Sequence, residues 1–239
     1  MELHSCIDIR HGSMPTLGRM RRAWLIKRQG GSPKKPITSS ILKKLLSCLD
    51  KRDYDAQTIR ATLCFAKFGL LRVSEYTYGP NGNAPKIGDI AIVPDMRNAQ
   101  YLVYRFSKSK TNQFGRRERI VCICTCPEPC AVHEVIDMLS FRGSIDAKDP
   151  LFWMKDGSSP SDDQVRHTIK NLCCACGLNP KKFASHQLRA GGVTDMLAAG
   201  VPESMIQELA RWARLDSMVP YKKLDDESTA GVLMRSLRQ

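Results

Sequence analysis

The chain has 239 residues, 42% of them apolar, and a formal net charge of +13, which suits a soluble globular protein of one large domain, or one domain plus a fragment. No apolar run approaches the eighteen or so residues that a membrane helix needs, and residues 1–12 lack the apolar core of a secretory signal, so a membrane span is excluded and an intracellular protein is expected. Up to Arg52, twelve Lys and Arg stand against Glu2, Asp8 and Asp50, so +9 of the +13 lies in the first fifth of the chain; a polyanionic partner, nucleic acid first, is expected over a merely soluble basic surface.

Residues 1–36 read as a basic arm and linker. Leu17, Met20, Trp24 and Leu25 can line one side of a short helix whose other positions include Arg21, Arg22, Lys27 and Arg28, a face suited to a DNA backbone. The run QGGSPKKP that follows has linker composition. A compact domain is expected over residues 37–239.

That domain opens with a helix capped by Thr38 or Ser39, with Ile41, Leu42, Leu45, Leu46 and Leu49 inward. A longer helix is predicted over residues 55–70 through Ile59, Leu63, Phe65 and Phe68, and it delivers Arg72 in the run GLLRVSE. An arginine behind so apolar a run needs an anionic partner, either Glu75 or a ligand. The period then changes to alternation, predicting three short antiparallel strands over residues 89–93, 101–106 and 119–123. Between the last two lies a basic hairpin tip carrying Lys108, Lys110, Arg116 and Arg117. Helical patterns resume over residues 129–140 and 163–176, separated by an apolar plug, Leu151, Phe152 and Trp153.

The organising stretch is residues 185–221. Ser185 can cap a helix whose first turn carries His186 and Arg189, three apart and therefore on one face, where a positive helix end favours phosphate. Gly200 ends that helix, Pro202 fits the first position of the next, and Met205, Ile206, Leu209 and Ala210 give that helix an apolar stripe. Trp212 and Tyr221 follow, nine residues apart. Alone, this stretch reads equally as a helix-turn-helix or as a catalytic constellation. After Tyr221 come Lys222, Lys223 and the acidic run Asp225, Asp226 and Glu227, then a last helix with Val232, Leu233 and Leu237.

Ten cysteines in an intracellular chain are expected to be reduced thiols. Cys126, Cys130 and His133 can only just reach one metal, paired CxxC knuckles are absent, and Cys122 and Cys124 alternate as in a strand, so core or surface thiols are expected. The carboxylate clusters Asp162–Asp163 and 225–227 read as a helix cap and solvated surface rather than as a magnesium site.

Taken together, Arg72, Lys110 in SKSKTNQFG, His186 and Arg189 in SHQLRAGG, Trp212 in ARWARLDS and Tyr221 in VPYKK resemble, in order and on the expected elements, the signature of the tyrosine recombinase (phage-integrase-like) catalytic domain. The Trp, the LRAGG and SKT contexts and the run Pro36, Ile37, Thr38 most resemble the DIRS and Crypton recombinases of eukaryotic mobile elements. The resemblance covers about residues 36–224. It implies an α+β, mainly α-helical fold with a small three-stranded antiparallel sheet, and residues 17–30 would represent the last helix of the family's N-terminal core-binding domain.

It further implies site-specific cleavage and rejoining of double-stranded DNA through a 3′-phosphotyrosyl bond to Tyr221. Arg72 and Arg189 would hold nonbridging oxygens, and the Trp212 indole would donate to one. His186 would take up or relay the Tyr221 proton. Lys110, with Lys108 as the competing assignment, would protonate the leaving 5′-oxygen. Lys108, Arg116, Arg117, Arg21, Arg22, Lys27 and Arg28 would contact the DNA. The resemblance implies no cofactor, no metal, a homotetrameric synapse, no membrane and a nuclear location. The alternative reading is a non-catalytic DNA-binding domain derived from such a recombinase.

Overall fold

The structure is a computed structural model that describes residues 34–79, 84–106, 118–126, 129–142 and 145–221; of residues 106, 118 and 219–221 only the backbone is described. A compact unit begins at Lys34. Its described elements are α1 (Ser39–Ser47), α2 (Tyr54–Phe68), β1 (Ile90–Val93), β2 (Tyr101–Phe106), β3 (Glu118–Ile123), α3 (Ala131–Ser140), α4 (Asp162–Ala175), α5 (His186–Ala198) and α6 (Glu203–Leu209), followed by a 3-10 segment, Leu215–Tyr221. No described helix is long and apolar enough to cross a membrane.

Helix α2 is the axis of the core. Asp53 caps it by accepting from the Ala56 amide at 2.9 Å, so the helix starts one residue before the expected 55. Nearly every position from Arg60 to Lys67 is buried, so the helix is covered on all sides. Phe65 meets Tyr104 of the sheet at 5.3 Å and Phe152 of the apolar plug at 5.4 Å between ring centroids.

The sheet has the order β1-β2-β3, antiparallel throughout. The register pairs Leu102 with Cys122 and Tyr104 with Ile120, and all four side chains are buried. Val121 and Ile123, one residue out of phase, are exposed. Period-two alternation thus turns one face of β2 and β3 inward and leaves the outer face of β3 to solvent, while Val103 on the outer face of β2 is also buried.

The charged groups inside this core are paired, although the Gln57 Oε1 and the Tyr76 hydroxyl are buried without a hydrogen-bond partner among the described residues. Arg60 forks onto Glu134 of α3 (Nε to Oε2 2.9 Å, Nη2 to Oε1 2.6 Å), and Gln57 donates to the same carboxylate at 2.9 Å. Lys67 reaches Asp195 of α5 at 2.5 Å, and Asp195 also accepts from the backbone and hydroxyl of Ser39 at 2.8 and 2.7 Å. A buried charge is tolerated only with partners of this kind.

Four sequence expectations shift. Thr38 precedes α1 but its side chain makes no cap bond; the nearby hydroxyl, Ser39, is drawn to Asp195 instead. Ser185 lies in helical conformation without a side-chain cap bond, and its hydroxyl donates to Asp162 at 3.0 Å. Pro202 is the N-cap of α6 rather than its first residue. Of the expected stripe, Ile206 and Ala210 are fully buried, whereas Met205 and Leu209 are 52% and 39% exposed, because a seven-residue helix packed on α5 and the 3-10 segment buries only a narrow seam. Gly200, at φ +77, ends α5 as expected: the Val201 amide bonds Met196 and the Gly200 amide bonds Leu197, a Schellman closure.

Candidate active site

A second, smaller apolar cluster lies beside the main core: Leu70, Val193, Ile206, Ala210 and Met218, with Trp212 packed against it. It draws together the end of α2, the first half of α5, the end of α6 and the 3-10 segment. These are the elements that carry Arg72, Arg189, Trp212 and Tyr221.

Close approach of α5 depends on two glycines. A Cβ on Gly191 would overlap the carbonyl of Ile37, and one on Gly192 would overlap the Lys67 carbonyl and the Leu70 side chain. The Ile37 amide donates to Gln187 at 2.8 Å across the same contact. The run RAGG therefore places Arg189 against the turn that follows α2.

Arg189 is 1% exposed. One guanidinium nitrogen donates to the Leu70 carbonyl at 2.7 Å and another donates to the Ala210 carbonyl. Its guanidinium carbon lies 5.5 Å from the Trp212 ring centroid, a cation–π distance. Planar delocalised charge makes arginine the cation suited to such a site.

Arg72 and Glu75 bracket one short turn. The Arg72 amide donates to one Glu75 carboxylate oxygen at 2.8 Å and its guanidinium to the other at 2.9 Å. Of the two partners expected for Arg72, Glu75 is therefore present. Sequence reasoning missed a second arginine: Arg211 donates to Glu75 at 2.7 Å and to the Leu70 carbonyl at 3.2 Å. Nothing in the residue spacing points from Arg211 back across 136 positions to Glu75.

Leu70 is the hub. Its carbonyl accepts from Arg189 and from Arg211, and its φ is +48; Arg211 itself stands at φ +55. Two non-glycine residues in the left-handed region, each costing about 1–2 kcal/mol, sit on the two loops that present Arg72 and Trp212. Such strain persists only where surrounding contacts determine the backbone, and the buried Leu70 side chain is one of those contacts.

His186 opens α5. Its side chain is exposed at the surface; partial desolvation by the surrounding chain, then the charge of Arg189, then that of Arg72, lowers its pKa from the ordinary imidazole value. The three groups therefore share one electrostatic environment, and the imidazole is held neutral near pH 7.

Among the residues expected at the site, Arg72, His186, Arg189 and Trp212 are thus gathered around the Leu70 turn. Tyr221 ends the 3-10 segment, three residues after the buried Met218 that ties this segment to the same cluster. Lys110 lies outside the described residues, as do Lys108, Arg116, Arg117, Arg21, Arg22, Lys27 and Arg28.

The structure is similar to those of recombinases and a transposon integrase. It matches the XerA recombinase with a TM-score of 0.63 at 18% identity, over 85% of this chain and 64% of that one. It matches the XerH site-specific recombinase bound to its difH substrate with a TM-score of 0.57 at 16% identity, over 84% and 54%. It matches the Tn1549 transposon integrase in complex with circular intermediate DNA with a TM-score of 0.55 at 16% identity, over 86% and 68%. At these identities the likeness is one of fold, and the chain spans less than two thirds of the length of the two Xer proteins. No curated protein sequence matches. The model of the phage integrase family matches residues 96–228, more than half of the 239. With that match, and with the mainly helical fold and small antiparallel sheet it shares with these recombinases, the chain belongs to the phage integrase family, the tyrosine recombinases.

Proposed function

We propose that this protein cleaves and rejoins double-stranded DNA through a covalent 3′-phosphotyrosyl intermediate, with Tyr221 as the nucleophile. The observation that carries the reading is the convergence of Arg72, His186, Arg189 and Trp212 on the turn at Leu70, with the Tyr221 segment anchored to the same cluster. Similar folds solved with DNA, in the XerH and Tn1549 complexes, support the choice of substrate.

In this mechanism the phenol, with an ordinary pKa of about 10, is a weak nucleophile at neutral pH. Its target phosphodiester must already be neutralised, and Arg72 and Arg189 supply two permanent charges held in place before substrate arrives. His186, neutral near pH 7, accepts the Tyr221 proton. The Trp212 indole N–H donates to a nonbridging oxygen, since it has no proton to exchange near neutrality. Attack forms the tyrosine–phosphorus bond and breaks the bond to the 5′-oxygen, which takes a proton from Lys110. Reversal of these steps rejoins the strand, so the phosphotyrosyl bond carries the energy for rejoining and no nucleotide cofactor is required.

The reading extends to a homotetrameric synapse, as the tyrosine recombinase resemblance implies, and to the mobile-element recombinases of the DIRS and Crypton kind, on the strength of Trp212, the LRAGG and SKT contexts and the run Pro36, Ile37, Thr38. It is tested by single-turnover cleavage of nicked duplexes. Arg72→Ala and Arg189→Ala should each slow cleavage by about a hundredfold or more; cleavage at the native rate in either would remove that arginine from the charge-stabilising role. Affinity for duplex DNA should fall steeply between low and physiological salt; a flat dependence would contradict phosphate-dominated binding.

A further inference from the structure

At the end of β3 the chain runs through Cys124, Cys126 and Cys130 into His133 on the first turn of α3. Sequence spacing suggested at most a strained trio. The structure adds Cys124 as a fourth partner, because the strand ends at Ile123 and the chain turns toward α3. One ligand atom from each of the four lies within 4.8 Å of every other. The His133 Nδ1 lies 3.2 Å from the Cys126 sulfur, 3.4 Å from that of Cys130 and 3.6 Å from that of Cys124, and the Cys124 and Cys130 sulfurs are 3.9 Å apart.

These separations are the edges of a metal-centred tetrahedron. With zinc–sulfur bonds of about 2.3 Å and zinc–nitrogen bonds of about 2.0–2.1 Å, regular tetrahedral geometry gives sulfur–sulfur edges of about 3.8 Å and sulfur–nitrogen edges of about 3.6 Å. The four cysteine and histidine atoms approach that arrangement with the imidazole presenting Nδ1. Two further contacts favour thiolates here. Cys130 is the N-cap of α3, at the positive end of the helix, and its sulfur accepts from the Thr125 amide at 3.5 Å. The Thr125 hydroxyl, donating to the Pro129 carbonyl at 2.8 Å, closes the intervening loop on itself.

We infer that Cys124, Cys126, Cys130 and His133 form a structural zinc site of the Cys3His type. Four protein ligands leave no open position, so the site binds the metal to hold the fold rather than to act on substrate. It ties the base of the β2–β3 hairpin to α3: Cys124 also donates its amide to Gln100 at the head of β2, at 2.7 Å. The residue after His133 is Glu134, which anchors α3 to α2 through Arg60. Lys110 lies in the chain between β2 and β3, the two paired strands whose base the site steadies. None of the proposed strand-cleavage residues takes part in the site.

The test is metal analysis of the purified full-length protein, with cobalt(II) exchange as a second readout. About one zinc per chain is expected in the native protein and in Cys174→Ser, an exposed thiol outside the cluster, with loss of metal in Cys126→Ser and Cys130→Ser. Cobalt(II) added to the demetallated native chain should produce intense thiolate-to-cobalt bands and tetrahedral d–d bands, of the strength of three thiolates. His133→Ala should keep the thiolate bands with altered d–d bands. A folded native chain that carries less than about a tenth of an equivalent of zinc and shows no thiolate bands with cobalt would overturn the site. So would metal retention in both Cys126→Ser and Cys130→Ser. The cobalt titration of the native chain decides the matter even if the cysteine variants fail to fold.

Discussion

The guanidinium of Arg189 lies over the face of Trp212, 5.5 Å from the ring centroid, with the Leu70 and Ala210 carbonyls bound to its edges. A cation boxed between two carbonyls and an indole keeps its charge and has a fixed direction. Trp212→Ala removes the face and leaves the charge less defined. A desolvated cation–π contact is worth about 2 kcal/mol, so strand cleavage should slow by about tenfold or more in Trp212→Ala and by less in Trp212→Phe, which keeps the aromatic face but loses the indole donor. Single-turnover cleavage with both variants separates the two outcomes; equal rates for alanine and phenylalanine would mean that the aromatic face has no part in positioning Arg189.

Glu75 holds two arginines at once, Arg72 and Arg211. Glu75→Gln removes the buried anion and leaves two guanidinium groups to repel each other. Breaking a buried pair from one side costs about 3–5 kcal/mol; Arg72 is partly exposed, which places the loss near the lower end. Because a bound phosphodiester would restore the missing negative charge, duplex DNA should raise the melting temperature of Glu75→Gln more than that of the native protein. Thermal melts with and without DNA check this, and an equal shift in both would contradict a shared anion site.

Much of this arrangement was legible in the sequence. Alternation marked the three strands to within a residue, most clearly in β3, whose inward Ile120 and Cys122 are buried and whose outward Val121 and Ile123 are exposed. Order and residue type singled out Arg72, His186, Arg189 and Trp212. What escaped were partners chosen by tertiary packing. Arg211, Lys67 and Asp195 look like ordinary surface charges until α5 is docked on α2, and the outward Met205 and Leu209 follow from how little of α6 its neighbours cover. The cysteine cluster was visible as spacing, but only the exit angle of β3 shows that Cys124 joins it.

The glycines of α5 give a purely steric prediction. Gly191→Ala places a methyl group into the Ile37 carbonyl, a backbone atom that cannot rotate aside. Overpacking of this sort costs about 1–3 kcal/mol and more where backbone must move. The variant should melt well below the native protein and lose cleavage with it. Alanine at Gly177, which stands at φ +71 with nothing near its missing Cβ, should cost only about 1 kcal/mol of backbone strain and leave cleavage intact.

His186 links stability to pH. Its folded pKa is lowered by partial desolvation and by two guanidinium charges, whereas the unfolded chain has the ordinary value of about 6.5. Between those two values the unfolded state binds more protons than the folded one, so this group makes the protein less stable as pH falls below about 6.5 and contributes no pH dependence above it. His186→Gln should flatten that acid limb of the stability curve. Denaturant titrations at a series of pH values from neutral downward, compared between native and variant, give the answer; superimposable curves would mean that His186 is not in the environment described.

The central claim concerns Tyr221, and the most direct measurement is recovery of an SDS-resistant protein–DNA adduct on nicked suicide duplexes of varied sequence. A fragment of the digested adduct containing Tyr221 joined to a 3′-phosphate, lost in Tyr221→Phe while duplex binding persists, is the predicted result. Adducts that survive in Tyr221→Phe would place the nucleophile elsewhere, and salt-sensitive binding with no adduct on any duplex would instead leave a DNA-binding domain without strand-cleavage chemistry.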